Sequence, residues 1–368
     1  MDFIKPLNNL KQNHLYRSRK VIETRSGNHI IINGKSLINF CSNDYLSLAD
    51  HKLVKEAYKI GVNKYGVGSG ASHLVSGHSV AHNELENSLA EYTGQEKVLL
   101  FSTGYTANIG IFSALRDDLD WILQDKLNHA SLIDANHLIG LPLQRYIHNN
   151  IESLERKISK QSGQGLIVTD NIFSMDGDQA DISSIEKLAQ GNNAIMMQDD
   201  AHGFGIIEPN IPVNSIYMAT LGKAAGAMGA FVSGKEDFIE YLIQKSRPYV
   251  YTTAISPAIC VAIMKSIELI KIGEQKAKLL SNIAFFKDLS LELNLPISKS
   301  LSAIQPIIIG SNERAIVASK KLFNKGFYVS AIRPPTVPNN TARLRITICA
   351  EHSKNEIEQL LVSTKDVI

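Results

Sequence analysis

The sequence predicts an α/β fold, in which a mainly parallel sheet carries helices on both faces and a smaller α+β C-terminal domain follows. Three observations carry that expectation. Short apolar runs alternate with helical stretches between about residues 50 and 245, and strands joined through helices run parallel with both sheet faces covered. After residue 250 the texture shifts to a long helical region and then to strand-like runs. The 368 residues, 44% hydrophobic and 20% charged, suffice for one large core and a smaller one. The expected organisation is an N-terminal helix and hairpin over 1–45, a large domain over 46–245 and a small one over 246–368.

The elements follow in order. A helical lead precedes Ile30-Ile31-Ile32, Asn33-Gly34 and Leu37-Ile38-Asn39-Phe40, two apolar runs around a type I′ turn signal. Ser79 to Tyr92 reads as a helix that closes on Gly94. Val98–Phe101, Leu166–Thr169, Ala194–Met197 and Gly229–Val232 read as buried strands, and Ser183 with Glu186 as a capping box. Farther on, Phe327–Ser330 reads as a strand, Arg333-Pro334-Pro335-Thr336 as a turn and Leu344–Ile348 as a half-buried strand. Ser353 with Glu356 caps a final helix.

Composition excludes several classes. A net charge of +2 argues against a nucleic-acid or membrane-surface partner. No run approaches ~18 apolar residues, the length of a membrane span. Cys41, Cys260 and Cys349 are odd in number and far apart, so reduced thiols in a cytoplasmic setting are expected, with no metal site. The N-terminal residues lack the pattern of a signal peptide.

Three stretches carry chemistry. Met197-Gln198-Asp199-Asp200-Ala201-His202-Gly203 runs an apolar strand into two carboxylates and a histidine, at the strand end where open α/β sheets bind ligands. Taken alone it also suits a solvated loop. Thr220-Leu221-Gly222-Lys223 puts a lysine among small residues after another apolar run, with room for an adduct on its nitrogen, although surface lysines beside glycine turns are common. Phe101-Ser102-Thr103-Gly104-Tyr105 ends a strand at a helix start, where free N–H groups suit a phosphate; an ordinary strand–helix turn looks the same. Together they are far more specific. A phosphate cradle, an aspartate to protonate a pyridine nitrogen and a lysine to form an imine are what pyridoxal 5′-phosphate requires. His129, in Asn128-His129-Ala130-Ser131, reads either as a helix-cap neighbour or as a group stacked on that ring.

Over nearly its whole length the chain resembles the α-oxoamine synthases, within the fold type I (aspartate aminotransferase-like) pyridoxal-phosphate enzymes. The resemblance rests on Ser42-Asn43-Asp44-Tyr45-Leu46, Gly68-Ser69-Gly70-Ala71-Ser72, Asn128–Ser131 and Asp199–Gly203. It implies that Lys223 carries the cofactor as a Schiff base, that Asp199 holds its ring nitrogen, that His202 bonds its phenolic oxygen and that His129 stacks on the ring. Gly104 and Tyr105 would hold the cofactor at the phosphate loop, Thr220 and Ser174 would complete its contacts, and Thr253 of the partner subunit would reach the phosphate, which makes a homodimer the expected state. Arg345 would bind the amino-acid carboxylate, and Arg17, Asn43, Ser72, Arg333 and Thr336 would face the acyl substrate.

Ile172–Asp178 and Ile332–Pro338, with Thr341–Arg345 following, resemble the biotin-pathway branch of that family. There the reaction is decarboxylative condensation of L-alanine with a pimeloyl thioester of coenzyme A or acyl carrier protein. Sister reactions, those of glycine C-acetyltransferase and 5-aminolevulinate synthase, share most motifs. A methyl group supplies only about 1–3 kcal/mol of discrimination between alanine and glycine. A non-catalytic scaffold subunit would be expected to lose Lys223, which is present, as are Asp199, His202 and His129. Two departures stand out: Ala224-Ala225 after the lysine, and a short stretch from Ile206 to Thr220.

Overall fold

Near the N-terminus, strands β1 (Thr24–Ser26), β2 (His29–Ile32) and β3 (Lys35–Asn39) form an antiparallel meander. The β2–β3 turn is the expected Asn33-Gly34, at φ 52° and 70°, the left-handed geometry that a two-residue hairpin demands. The computed structural model describes residues 3–368. Before the meander, helix Ile4–Gln12 matches the expected helical lead.

The chain next builds β4 (Lys97–Phe101), β5 (Trp121–Asp125), β6 (Gln144–Tyr146), β7 (Gly165–Asp170), β8 (Ala194–Asp199), β9 (Ser215–Thr220) and β10 (Ala230–Gly234). They form one seven-stranded sheet in the order β4-β10-β9-β8-β7-β5-β6. Only β10 runs against its neighbours, so the sheet is mainly parallel, as the alternating pattern implied. Buried apolar clusters cover it, one with Ile111, Phe112 and Leu242 and another with Trp121, Leu154 and Ile185.

The last strands are β11 (Ile304–Gly310), β12 (Phe327–Tyr328), β13 (Ser330–Ile332) and β14 (Ala342–Thr347). Strand β12 joins the N-terminal meander by pairing parallel with β3, and β11-β14-β13 form a separate sheet. The single strand expected over Phe327–Ser330 is therefore two strands in two sheets. Strand β14 is buried at all six positions. Both of its faces are therefore covered, and its alternation does not mark a solvent face.

Two units emerge. One holds the residues up to Ser47, Met175–Asp178 and Gln275–Ile368; the other holds Leu48–Ser174 and Gln179–Glu274. The β3–β12 pairing ties the N-terminal segment to the C-terminal one. Residues 246–274 lie in the large unit because helix Pro257–Ile272 packs on helix Lys52–Tyr65. Gly61 permits that approach: a Cβ there would lie 2.8 Å from the Ala258 Cα, closer than packed carbons allow.

Caps mostly follow the sequence. Ser79 and Gly94 bound helix Val80–Thr93, and Ser353 with Glu356 boxes helix Lys354–Lys365. The helix near Ser183 instead spans Ile182–Gln190 and is capped by Asp181, whose side chain accepts the Ser184 N–H. An aspartate two residues earlier satisfies the same free donors, which displaces the Ser183–Glu186 box. Among the described residues no helix is long and apolar enough to cross a membrane.

Candidate active site

The C-terminal ends of the central strands in the large unit enclose a cavity of about 190 Å³. Its polar lining comes from the ends of β7, β8 and β9, the loops after them, and the starts of helices Gly104–Leu115 and Ala130–Ile139. That is the rim where a parallel sheet places ligands. Gly104, Tyr105, His129, Ser174, Asp199, His202, Thr220 and Lys223 all line it, so eight of the residues singled out from sequence share one cavity.

Lys223 Nζ lies 2.8 Å from His202 Nε2. Asp199, 5% exposed, accepts the Ala201 N–H on Oδ1 at 3.0 Å and the Asn108 amide on Oδ2 at 2.9 Å. The same Asn108 nitrogen donates to Ser131 Oγ at 2.8 Å, leaving that hydroxyl to donate to His129 Nδ1 at 2.8 Å. The Ser131 N–H points at His129 Nδ1 as well. With Nδ1 accepting, the ring proton sits on Nε2. Burial, and then the Lys223 charge, pull the His129 pKa below the usual histidine range, against the opposite pull of Asp199. His129 is therefore a neutral imidazole here.

Thr103 caps helix Gly104–Leu115 by accepting the Thr106 N–H. The first turn keeps backbone N–H groups and the positive end of the helix dipole beside Gly104. A side chain at Gly104 would come within 3.7 Å of Met218 and 3.9 Å of Thr220, both lining residues. Thr220 Oγ1 donates to Gly229 O at 3.1 Å, which fixes the turn that delivers Lys223. Ala224 and Ala225 are buried outside the lining, so they take no space from it.

Asp200 follows Asp199 but has different surroundings. It is 2% exposed, and accepts the Tyr217 hydroxyl at 2.7 Å and the Asn171 amide at 2.8 Å. Burial pushes its carboxyl up to about 7 in spite of these bonds. Next to it, Gly203 has no room for a side chain: a Cβ would lie 2.2 Å from Asp200 Oδ1.

Ser72 and Thr253 also belong to the large unit but lie outside this lining; they form an isolated antiparallel bridge with each other. The remaining sequence candidates lie in the other unit. Arg345, on β14, donates to Asn43 Oδ1 at 3.2 Å and Thr347 Oγ1 at 2.9 Å. Arg17 donates to Thr336 Oγ1 at 3.2 Å, and Arg333 donates to the His14 and Tyr16 carbonyls. Arg17, Arg333 and Thr336 share a small cavity of about 60 Å³, where burial and the Arg17 charge lower the Arg333 pKa. Two close guanidiniums suit an anion.

Sequence reasoning missed Asn108, Ser131 and Asp170 in the main cavity. A signal for Asp170 existed: Leu166–Thr169 runs into it as Met197 runs into Asp199. Asn108 stands one helical turn after Gly104, a polar residue in an apolar helix.

Residues 35–363 match the model of the aminotransferase class I and II family. The chain is 44% identical over 365 residues to 8-amino-7-oxononanoate synthase of Pseudomonas fluorescens, across 96% of this chain and 93% of that one. A serine palmitoyltransferase from S. paucimobilis, solved with a bound PLP–myriocin aldimine, superposes with a TM-score of 0.93 at 26% identity, covering 99% of this chain and 96% of that one. An 8-amino-7-oxononanoate synthase from Francisella tularensis gives 0.78 at 31% identity, covering 90% and 97%.

Proposed function

Because the chain belongs to the class I and II aminotransferase family, and within it to the 8-amino-7-oxononanoate synthases, we propose that it condenses L-alanine with a pimeloyl thioester, releasing CO2. The product is 8-amino-7-oxononanoate, an intermediate of biotin biosynthesis. The observation that carries the reading is the cluster of Lys223, His202, Asp199 and His129 around one cavity in a chain 44% identical to such an enzyme.

The cofactor is pyridoxal 5′-phosphate, and the donor set fits it: an amine at Lys223, a buried carboxylate at Asp199 and a helix start at Gly104. When bound, it supplies an aldehyde that amines condense with and a ring that withdraws electrons from the substrate's α-carbon. Lys223 holds the cofactor and, once released, moves the proton at the alanine Cα. Asp199, oriented by Asn108, holds the proton at the ring nitrogen. His202 places the Lys223 amine and would bond the phenolic oxygen. His129, oriented through Nδ1 by Ser131, would cover the ring face. Gly104, Tyr105, Ser174 and Thr220 hold the cofactor from the lining.

Arg345 binds the alanine carboxylate as a planar fork. Arg17, Asn43, Arg333 and Thr336 face the acyl substrate. Thr253 serves the phosphate of the partner copy in a homodimer, and Ser72, bridged to it, faces the acyl group. The three cysteines are free, which supports a cytoplasmic setting. The test is release of labelled CO2 from carboxyl-labelled L-alanine. Release that depends on both Lys223 and a pimeloyl thioester supports the reading; release without the thioester, or none, refutes it.

A further inference from the structure

The last residues of β7 and β8, Asp170 and Asp199, are in register on parallel strands. In-register neighbours point to the same face, and both line the cavity with Lys223. They are 3% and 5% exposed. Two carboxylates so close and so dry cannot both be charged at low cost. Hydrogen bonding decides which of them keeps a proton. Asp199 accepts an N–H on each oxygen, at 3.0 and 2.9 Å. Asp170 accepts the His129 backbone N–H at a long 3.4 Å. Burial, followed by the Asp199 charge, drives Asp170 well above the usual carboxylate range; Asp125 pushes the same way, while the His129 N–H and the Lys223 charge pull back.

We propose that these two aspartates hold one proton unequally, with Asp199 the carboxylate and Asp170 the neutral acid. Asp170 then presents an O–H to the carbonyl oxygen that reacts beside Lys223. Its substrate rests on the reaction proposed above; its protonation does not. When the alanine α-carbon attacks the thioester carbonyl, a C–C bond forms and the carbonyl electron pair moves onto oxygen. A neutral donor stabilises that charge, whereas a second carboxylate would repel it. The electron pair returns as the C–S bond breaks and the thiolate leaves, so Asp170 keeps its proton throughout.

Infrared difference spectra of the cofactor-free protein test the protonation directly. At neutral pH the wild type should show a protonated-carboxyl C=O stretch that Asp170→Asn lacks. In Asp199→Asn, with the repelling charge gone, that stretch should titrate away at lower pH. In the loaded enzyme, Asp170→Ala should lose ~10²–10³ in kcat, as for removal of an oxyanion donor. Asp170→Asn, whose amide still donates, should lose less than ~10-fold and lack the fall in kcat with rising pH that deprotonation of Asp170 causes. An unchanged band in Asp170→Asn, or an Asp170→Asn enzyme as slow as Asp170→Ala, overturns the proposal. If Asp170→Ala does not fold, the infrared comparison of wild type with Asp170→Asn decides. A wild type that makes no product while the band behaves as stated overturns the reaction assignment and leaves the proton on Asp170.

Discussion

In the cavity of the large unit, Lys223, His202, His129, Asp199 and Asp170 crowd together, all of residue types that exchange protons. Along β14 of the other unit, Arg343 and Arg345 are buried, at 3% and 7% exposed, but guanidinium does not give up its proton in proteins. Each region stabilises its charge differently. The cavity sets carboxylates, imidazoles and an amine side by side. Strand β14 surrounds fixed charge with oxygens: Asp176, the Met175 carbonyl and Thr341 around Arg343, and Asn43 and Thr347 around Arg345. Where charge must move, titrating groups are clustered; where it must only be present, arginine stands on a buried strand.

Breaking the cavity should have the largest effect. Lys223→Ala removes the amine that holds the cofactor and moves the Cα proton. Turnover should fall by at least ~10⁴-fold, and the visible absorption of bound cofactor should change in position. Normal kcat in that variant would contradict the assignment of Lys223.

Changing the fixed charge should do less, and should show up in KM. Arg345→Lys keeps a cation but loses the fork that meets a carboxylate in two places. Charge-assisted hydrogen bonds are each worth about 1.5–3 kcal/mol, so the KM for L-alanine should rise roughly 10–100-fold with a smaller change in kcat. Equal losses in kcat and kcat/KM would place Arg345 in the chemistry instead.

The smallest effect sharpens the contrast within one dipeptide. Asp200, pushed up to about 7, binds its proton more tightly folded than unfolded. Its contribution to stability is therefore full below about pH 4, the unfolded aspartate range, and is lost as pH rises through about 7. Asp200→Asn should flatten the decline in Tm across that window. A decline as steep as wild type would mean that another group carries it.

Much of this was legible in the sequence because it is local. Asn33-Gly34 fixed a turn, apolar runs such as Leu166–Thr169 marked strands, and Asp199, His202 and Lys223 stood at strand ends. What escaped depends on partners far along the chain. The parallel pairing of Ile38 with Phe327 places the N-terminal segment in a sheet that no local pattern announces. The burial of β14 at every position depends on what packs over both faces of its sheet, which an alternating pattern within the strand does not reveal. Asn108 owes its role to Asp199 and Ser131, residues 91 and 23 positions away. Asp170 becomes distinctive only once β7 and β8 are paired in register.

Product identification tests the proposed reaction. Purified protein loaded with pyridoxal phosphate would be incubated with a pimeloyl thioester and L-alanine, glycine or L-serine, and the products weighed by mass spectrometry. L-Alanine should give 8-amino-7-oxononanoate, with far less product from the other two amino acids. Preferred condensation of glycine or serine, or no new carbon–carbon bond with L-alanine, would contradict it.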